Sequence, residues 1–255
     1  MAAGVAEHSD FRADPWRRLD GTLRSYLRIV YGTATAARAE VRRLNGLHRS
    51  ISGAGYTARD PALGLWVHAT LVDSTLAVND AWNGPLPDDR AARFYEETLP
   101  LGRAFGIPEA LLPGDLAAFR RYMQEQLAPD GPLGVGETAR ELAQAVLHPR
   151  LPGVLARIPL DPRLHSWTLW PAIGLLPPGL RAEYGLPWTP LHSAVAAWLV
   201  TGWRVWNRVL PSAWREMPQA RAADRRIAAA TAAIATVAAR AAQRVSSGKG
   251  SAPGT

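Results

Sequence analysis

Apolar residues recur at intervals of three or four along most of this chain, which is the spacing of one face of an α-helix. Helix-start signals such as Asp-Pro pairs precede several of the apolar runs. No convincing strand pair, Rossmann-type glycine motif or internal repeat accompanies them. The spacing predicts about eight long helices and two short helical pieces. They cover residues 16–30, 35–51, 61–82, 87–105, 114–127, 137–147, 191–209 and 220–245, with the short pieces at 167–175 and 180–184.

This pattern predicts an all-α fold built as a single-domain helical bundle. The domain is expected to span residues 1–245, because no change of composition divides them. The last stretch, residues 246–255, is rich in Ser, Gly and Pro and is expected to be a disordered tail.

The chain has no cysteine among its 255 residues. This excludes disulfides, iron–sulfur clusters, zinc sites that use cysteine, thiolate-ligated haem and covalently attached c-type haem. The motifs of serine hydrolases, P-loop proteins, zinc proteases and di-iron carboxylate bundles are also absent. Any redox metal must therefore be held by histidine or carboxylate.

The net charge of +7 comes almost entirely from arginine, since Lys249 is the only lysine. The arginines are scattered rather than gathered in one run, and the motifs of nucleic-acid-binding modules are missing. We therefore expect no nucleic-acid partner.

The best candidate for a membrane span, residues 194–206, is shorter than the ~20 residues that a bilayer requires. Without a secretory signal, the expected location is the cytoplasm.

Two histidines lie on predicted apolar helix faces and are separated by a glycine-rich turn. His48 shares a stripe with Val41 and Leu44, and His68 shares one with Leu65 and Val72. Each could be a hydrogen-bonded core residue or a ligand of a metal or haem. The role of the ten tryptophans is also undecided: they could pack in the core, or some could line a cavity for a flat cofactor or an apolar substrate.

Several arginines accompany these histidines along the chain. Arg43 and Arg49 flank His48, where they suit either haem propionates or plain solvent exposure. Arg18 and Thr22 are four residues apart, so they share one face of the first predicted helix. That pair could donate hydrogen bonds into a metal pocket, or it could be an ordinary surface pair.

An ordered set of short motifs distinguishes this chain from other helical proteins. Taken together, the set resembles the MpaB-like oxygenase family, which includes the latex-clearing rubber oxygenases. The resemblance covers roughly residues 3–226. Its motifs are A-G-V-A-E-H-S at 3–9, an R-x-x-x-T segment at 18–22 ahead of Y-G at 31–32, H-x-x-x-x-G at 48–53, Y-x-A-x-D-P at 56–61, W-V-H-A at 66–69, Y-E-E at 95–97, G-I-P at 106–108 and P-P-x-L-R followed by G-L-x-W within 177–188.

The resemblance implies a helical bundle that encloses a pocket for non-covalent haem b. It implies His48 as the iron ligand, with His68 as the second candidate, and Arg18 and Thr22 as the residues on the opposite side of the pocket. His8 is a further candidate for contact with the cofactor. The implied reaction is oxidation or cleavage of isoprenoid C=C bonds by O2.

Two features depart from the family pattern. The residue before the threonine is usually lysine or arginine, and here it is Gly21. The resemblance also implies an apolar helix ahead of A-G-V-A, whereas this chain begins within that motif. We therefore expect either that the start of the sequence is displaced or that the pocket lacks the wall that this helix would form.

The leading hypothesis is a haem b-dependent oxygenase whose partners are a small apolar substrate and O2. One alternative is a non-catalytic helical protein that carries a ligand or haem. The other is a basic helical interaction protein without a cofactor. The sequence leaves the oligomeric state, the substrate and the product open.

Overall fold

The computed structural model describes residues 15–53, 56–147 and 167–248, and most of these residues are helical. His8 and residues 249–255 of the predicted tail lie outside the described residues. The α-helices are α1 Pro15–Tyr31, α2 Ala34–His48, α3 Pro61–Asn83, α4 Asp88–Ala104, α5 Leu116–Leu127, α6 Glu137–Leu147, α7 Trp170–Leu175, α8 Pro178–Glu183, α9 Pro190–Val209, α10 Ser212–Arg215 and α11 Pro218–Gly248.

The all-α prediction is confirmed, and each long predicted helix is found within three residues of its predicted ends. Polar side chains define where several of the helices begin. Thr33, Asp60 and Asp115 accept backbone N–H bonds at the first turns of α2, α3 and α5, as N-cap residues do. The last helix continues past the predicted tail boundary to Gly248.

A small strand pair was not expected from the sequence. β1 Ser52–Gly53 pairs antiparallel with β2 Tyr56–Thr57, so α2 ends at His48 rather than continuing to residue 51. The pair is too short to show an alternating pattern, which explains why periodicity missed it. The 3-10 helix Glu109–Leu111 and the four-residue α10 were missed for the same reason, whereas the 3-10 helix Trp167–Leu169 begins the predicted short piece at 167–175.

The main core lies where α3, α4 and α5 meet. Tyr95 and Phe119 are its largest fully buried side chains, and their ring centroids are 5.0 Å apart. The Tyr95 hydroxyl donates to the Pro113 carbonyl at 2.5 Å, so this buried polar group has a partner. Other buried members of this core are Ala69, Val72, Ala91, Leu116 and Met123.

Helix α9 packs against α3 outside this core. The rings of Trp82 and Trp203 meet edge to face at 5.9 Å. The Arg204 guanidinium donates to the Ala81 and Asp80 carbonyls at 2.9 and 3.0 Å near the end of α3. Trp198, in contrast, is 69% exposed, so core packing does not account for every tryptophan. Within the described ranges, no helix is both long and apolar enough to cross a membrane.

His68 lies in the α3 surface that faces α4, and its side chain is buried. Its Nε2 atom has no hydrogen-bond partner among the described residues. A Cβ atom added at Gly102 of α4 would lie 3.4 Å from this nitrogen, so the glycine allows the two helices to approach closely. Burial lowers the pKa of His68, because the charged imidazolium is poorly solvated there.

Acid should destabilise the protein through His68. The unfolded chain binds a proton at this residue near pH 6.5, and the folded chain binds it only at lower pH. The free energy of unfolding should therefore fall as pH drops through about 6.5 towards the folded pKa, by about 1.4 kcal/mol for each unit of lowering. Urea unfolding between about pH 7.5 and 5.5 measures this slope.

The variant His68→Leu removes the titrating group and the unpartnered nitrogen while keeping the site apolar. Its slope between these pH values should be smaller than that of the wild type, with a remainder from His48, whose pKa is also lowered. An unchanged slope in His68→Leu would show that His68 does not couple folding to pH.

Candidate functional site

Helices α1 and α2 form an antiparallel hairpin around a tight turn. Gly32 occupies this turn because a Cβ atom at that position would collide with the Arg28 carbonyl oxygen. One bond sets the register: the Ser25 hydroxyl donates to Glu40 Oε1 at 2.8 Å. Since the helices run in opposite directions, each step back along α1 is matched by a step forward along α2. Arg18 therefore faces His48 at the open end of the hairpin.

Arg18 and Thr22 are hydrogen-bonded to each other on the exposed surface of α1. Arg18 Nη1 donates to Thr22 Oγ1 at 3.1 Å, and the Thr22 hydroxyl donates to the Arg18 carbonyl at 2.9 Å. The predicted shared face is therefore present. The single proton of the Thr22 hydroxyl is donated to the Arg18 carbonyl, so towards the guanidinium the Thr22 oxygen acts as an acceptor.

His48 is partly buried at the last residue of α2. Burial lowers its pKa first, and the positive charge of Arg18 lowers it further. No hydrogen bond from either ring nitrogen is found within the described part of the chain. Both effects favour the neutral imidazole, which is the form that binds iron.

A buried carboxylate lies two turns from His48 on the same helix. Glu40 accepts from Arg43 Nε at 3.0 Å and Nη2 at 2.5 Å, and Arg43 Nη2 also donates to Ser25 at 3.1 Å. The hydrogen bonds from Arg43 and then Ser25 hold the pKa of Glu40 below its usual range. Arg43, expected from the sequence near a cofactor, is thus engaged by Glu40 in this structure.

Glu40 was not identified from the sequence, although it is the only acidic residue of α2. Its position three residues before Arg43 was a signal for an ion pair. Its burial depends on the pairing of α1 with α2, which no local pattern reveals. Arg49, the other arginine expected near the cofactor, is exposed at the C-cap of α2.

The structure separates the two candidate histidines. His48 lies beside Arg18 at the open end of the hairpin, whereas His68 lies in the core under Gly102 of α4. The open end also exposes Leu19, Leu23 and Leu47, with 56%, 47% and 52% of their surfaces accessible. The site therefore combines an imidazole of lowered pKa, a guanidinium hydrogen-bonded to Thr22 and an apolar flank.

The described residues contain no group of three or more His, Asp or Glu side chains placed to hold a metal ion. A single histidine suits a metal that brings its other ligands with it, as a porphyrin does. Two surface cavities of about 430 and 350 Å³ are found elsewhere, and neither is lined by Arg18, Thr22 or His48.

Comparison with known proteins places these features in a family. Two uncharacterised proteins, Mb2261 of Mycobacterium bovis and Rv2237 of Mycobacterium tuberculosis, are each 30% identical to this chain over 202 residues, which is 76% of both chains. No solved structure matches significantly. Residues 1–206 match the family described as ER-bound oxygenase mpaB/B'/rubber oxygenase, catalytic domain. The chain therefore belongs to the mpaB/rubber oxygenase catalytic-domain family.

Proposed function

We propose that this chain is a haem b-dependent oxygenase that uses O2 to oxidise or cleave a C=C bond in an apolar substrate. Isoprenoids are the substrate class to test first. Membership of an oxygenase family supports the reaction class. The observation that carries the proposal is the neutral His48 imidazole beside the Arg18–Thr22 pair.

The residues at the open end of the hairpin fit a haem. His48 would bind the iron, because burial and the charge of Arg18 favour its neutral form and no described residue is hydrogen-bonded to its ring. Exposed Leu19 and Leu47 would contact the porphyrin plane, and the exposed Arg49 guanidinium would be available to a propionate. Bound haem would supply the one-electron chemistry that O2 requires.

His48 is the better iron ligand on steric grounds. The Nε2 atom of His68 points towards α4, where a single added carbon at Gly102 would already be in contact with it. A porphyrin would have to separate α3 from α4 and disrupt the main core. His48 lies at the edge of the hairpin and outside the main core, so a porphyrin bound there would leave the contact between α3 and α4 intact.

Arg18 has two roles in this proposal. Its positive charge adds to burial in lowering the pKa of His48, and its guanidinium can donate hydrogen bonds to O2 where negative charge develops during reduction. Thr22 is a positioning residue, because its oxygen accepts from Arg18 Nη1. It fixes the guanidinium on the side of α1 that faces His48.

The first test is the visible absorption spectrum after haem reconstitution. The wild type should show a Soret band, and His48→Ala should lose it while its helical content by circular dichroism stays close to that of the wild type. His192→Ala is a matched control, because His192 is a partly buried histidine in the capping box of α9. It should retain the Soret band. Loss of haem in His68→Ala but not in His48→Ala would reverse the assignment.

The second test separates the roles of Arg18. Arg18→Leu should slow O2 uptake with farnesol as the substrate by about 10²-fold at unchanged haem content, a typical cost of one lost donor. In the haem-free protein, the same change should raise the pKa of His48 measured by NMR, because a neighbouring positive charge is removed. Loss of haem together with an unmoved pKa would contradict both roles.

The third test uses the glycine that departs from the family pattern. Gly21 is on the Arg18 side of α1, and a Cβ atom there would meet nothing within 4 Å. The wild-type haem site should therefore bind cyanide readily, with a shift of the Soret band.

Gly21→Lys should give a low-spin spectrum and weaken cyanide binding by about tenfold or more, because the lysine must first leave the iron. Gly21→Leu, whose side chain has no ligating atom, should leave cyanide binding closer to that of the wild type. If cyanide fails to shift the Soret band of the wild type, the prediction of an open iron site is contradicted.

A further inference from the structure

A cavity of about 350 Å³ lies between α1 and α11, at the turn end of the hairpin. This volume is at the lower end of the range of small-molecule sites, about 300–1,000 Å³. Three arginines line it together with apolar and amide groups. The lining residues are Arg24, Leu27, Arg28, Tyr31, Gly32, Gln219, Ala222 and Arg226.

The cavity lining carries three guanidinium groups and no carboxylate. Arg24 pairs with the exposed Asp20, one turn away on α1. Arg226 crosses from α11 and donates to the Tyr31 carbonyl. Each guanidinium has several N–H donors and no acceptor, so these single partners leave donors unused.

Arg28 has the weakest engagement of the three. Its nearest carboxylate oxygen is Glu40 Oε2, at 3.8 Å, which is beyond hydrogen-bond distance. The other oxygen of Glu40 is already bonded to Ser25 and Arg43. The Arg28 side chain is 61% exposed, so its donors are accessible from the cavity.

We propose that this cavity binds a phosphate-bearing organic ligand. A phosphate dianion has enough acceptor oxygens to bond guanidinium groups from two helices at once. Leu27, Tyr31 and Ala222 supply an apolar wall for the remainder of the ligand. The ligand would join α1 to α11 through Arg28 and Arg226.

This site is distinct from the haem site of the proposed function and does not depend on it. Arg28 is ten residues from Arg18 along α1, a separation of about 15 Å. The phosphate site lies at the turn of the hairpin, and the Arg18–His48 pair lies at its open end. Haem-free protein can therefore be used for the test.

Isothermal titration of the full chain with sodium pyrophosphate tests the proposal. We expect saturable binding that weakens about tenfold or more in Arg28→Gln, because charge-assisted hydrogen bonds are lost. Arg28→Lys should be weakened less, because it retains the charge but loses the planar fork. The matched control is Arg225→Gln, which removes the same charge from an exposed position of α11 outside the cavity lining.

Vesicles separate the two sources of phosphate. Co-sedimentation with vesicles of phosphatidylcholine and phosphatidylglycerol that depends on Arg28 but not on Arg225 would support a lipid headgroup as the ligand. Binding of pyrophosphate alone, with the same dependence, would support a free phosphorylated metabolite. Absence of both, or an equal loss in Arg28→Gln and Arg225→Gln at unchanged helical content, would overturn the site.

Discussion

The buried carboxylate of Glu40 is the contact on which the geometry of the α1–α2 hairpin depends. It holds Ser25 of the opposite helix at 2.8 Å and is itself held by Arg43. A buried carboxylate without such partners would cost several kcal/mol, so a shift of one helix along the other is strongly disfavoured. Fixing this one register fixes both ends of the hairpin. It places Arg18 beside His48 at the open end and Arg28 in the lining of the cavity at the other.

Arginine, which supplies almost all of the positive charge of this chain, occurs in different settings at the two ends of the hairpin. At the open end, the Arg18 guanidinium donates to Thr22 and adds to burial in lowering the pKa of the neighbouring His48. At the turn, three guanidinium groups converge on a cavity without a lining carboxylate. Where a buried carboxylate is present, as at Glu40, the arginine is used for structure. The position of the acids therefore decides which arginines remain available to ligands.

Local sequence patterns were enough to predict the helices, because amphipathic spacing and caps such as Asp60 and Asp115 act within one or two turns. They also predicted the Arg18–Thr22 pair, which depends only on helical spacing. They could not choose between His48 and His68, because both lie on apolar stripes and differ only in what other helices place against them. Glu40 was missed for the same reason, since its burial arises from the pairing of distant segments. The cofactor and the site residues remain predictions.

The hairpin is joined to the rest of the protein by little buried surface. Among residues 16–48 only Glu40 and Val41 are buried, and the Asn45 side-chain amide donates to the Ala104 carbonyl at 3.0 Å at the end of α4. A segment with so few buried contacts opens at a lower free energy than the core, and its amides exchange with solvent first. Any ligand that binds only the closed hairpin then raises that opening free energy by mass action. Local stability of these two helices, rather than of the whole chain, would therefore report occupancy of either end.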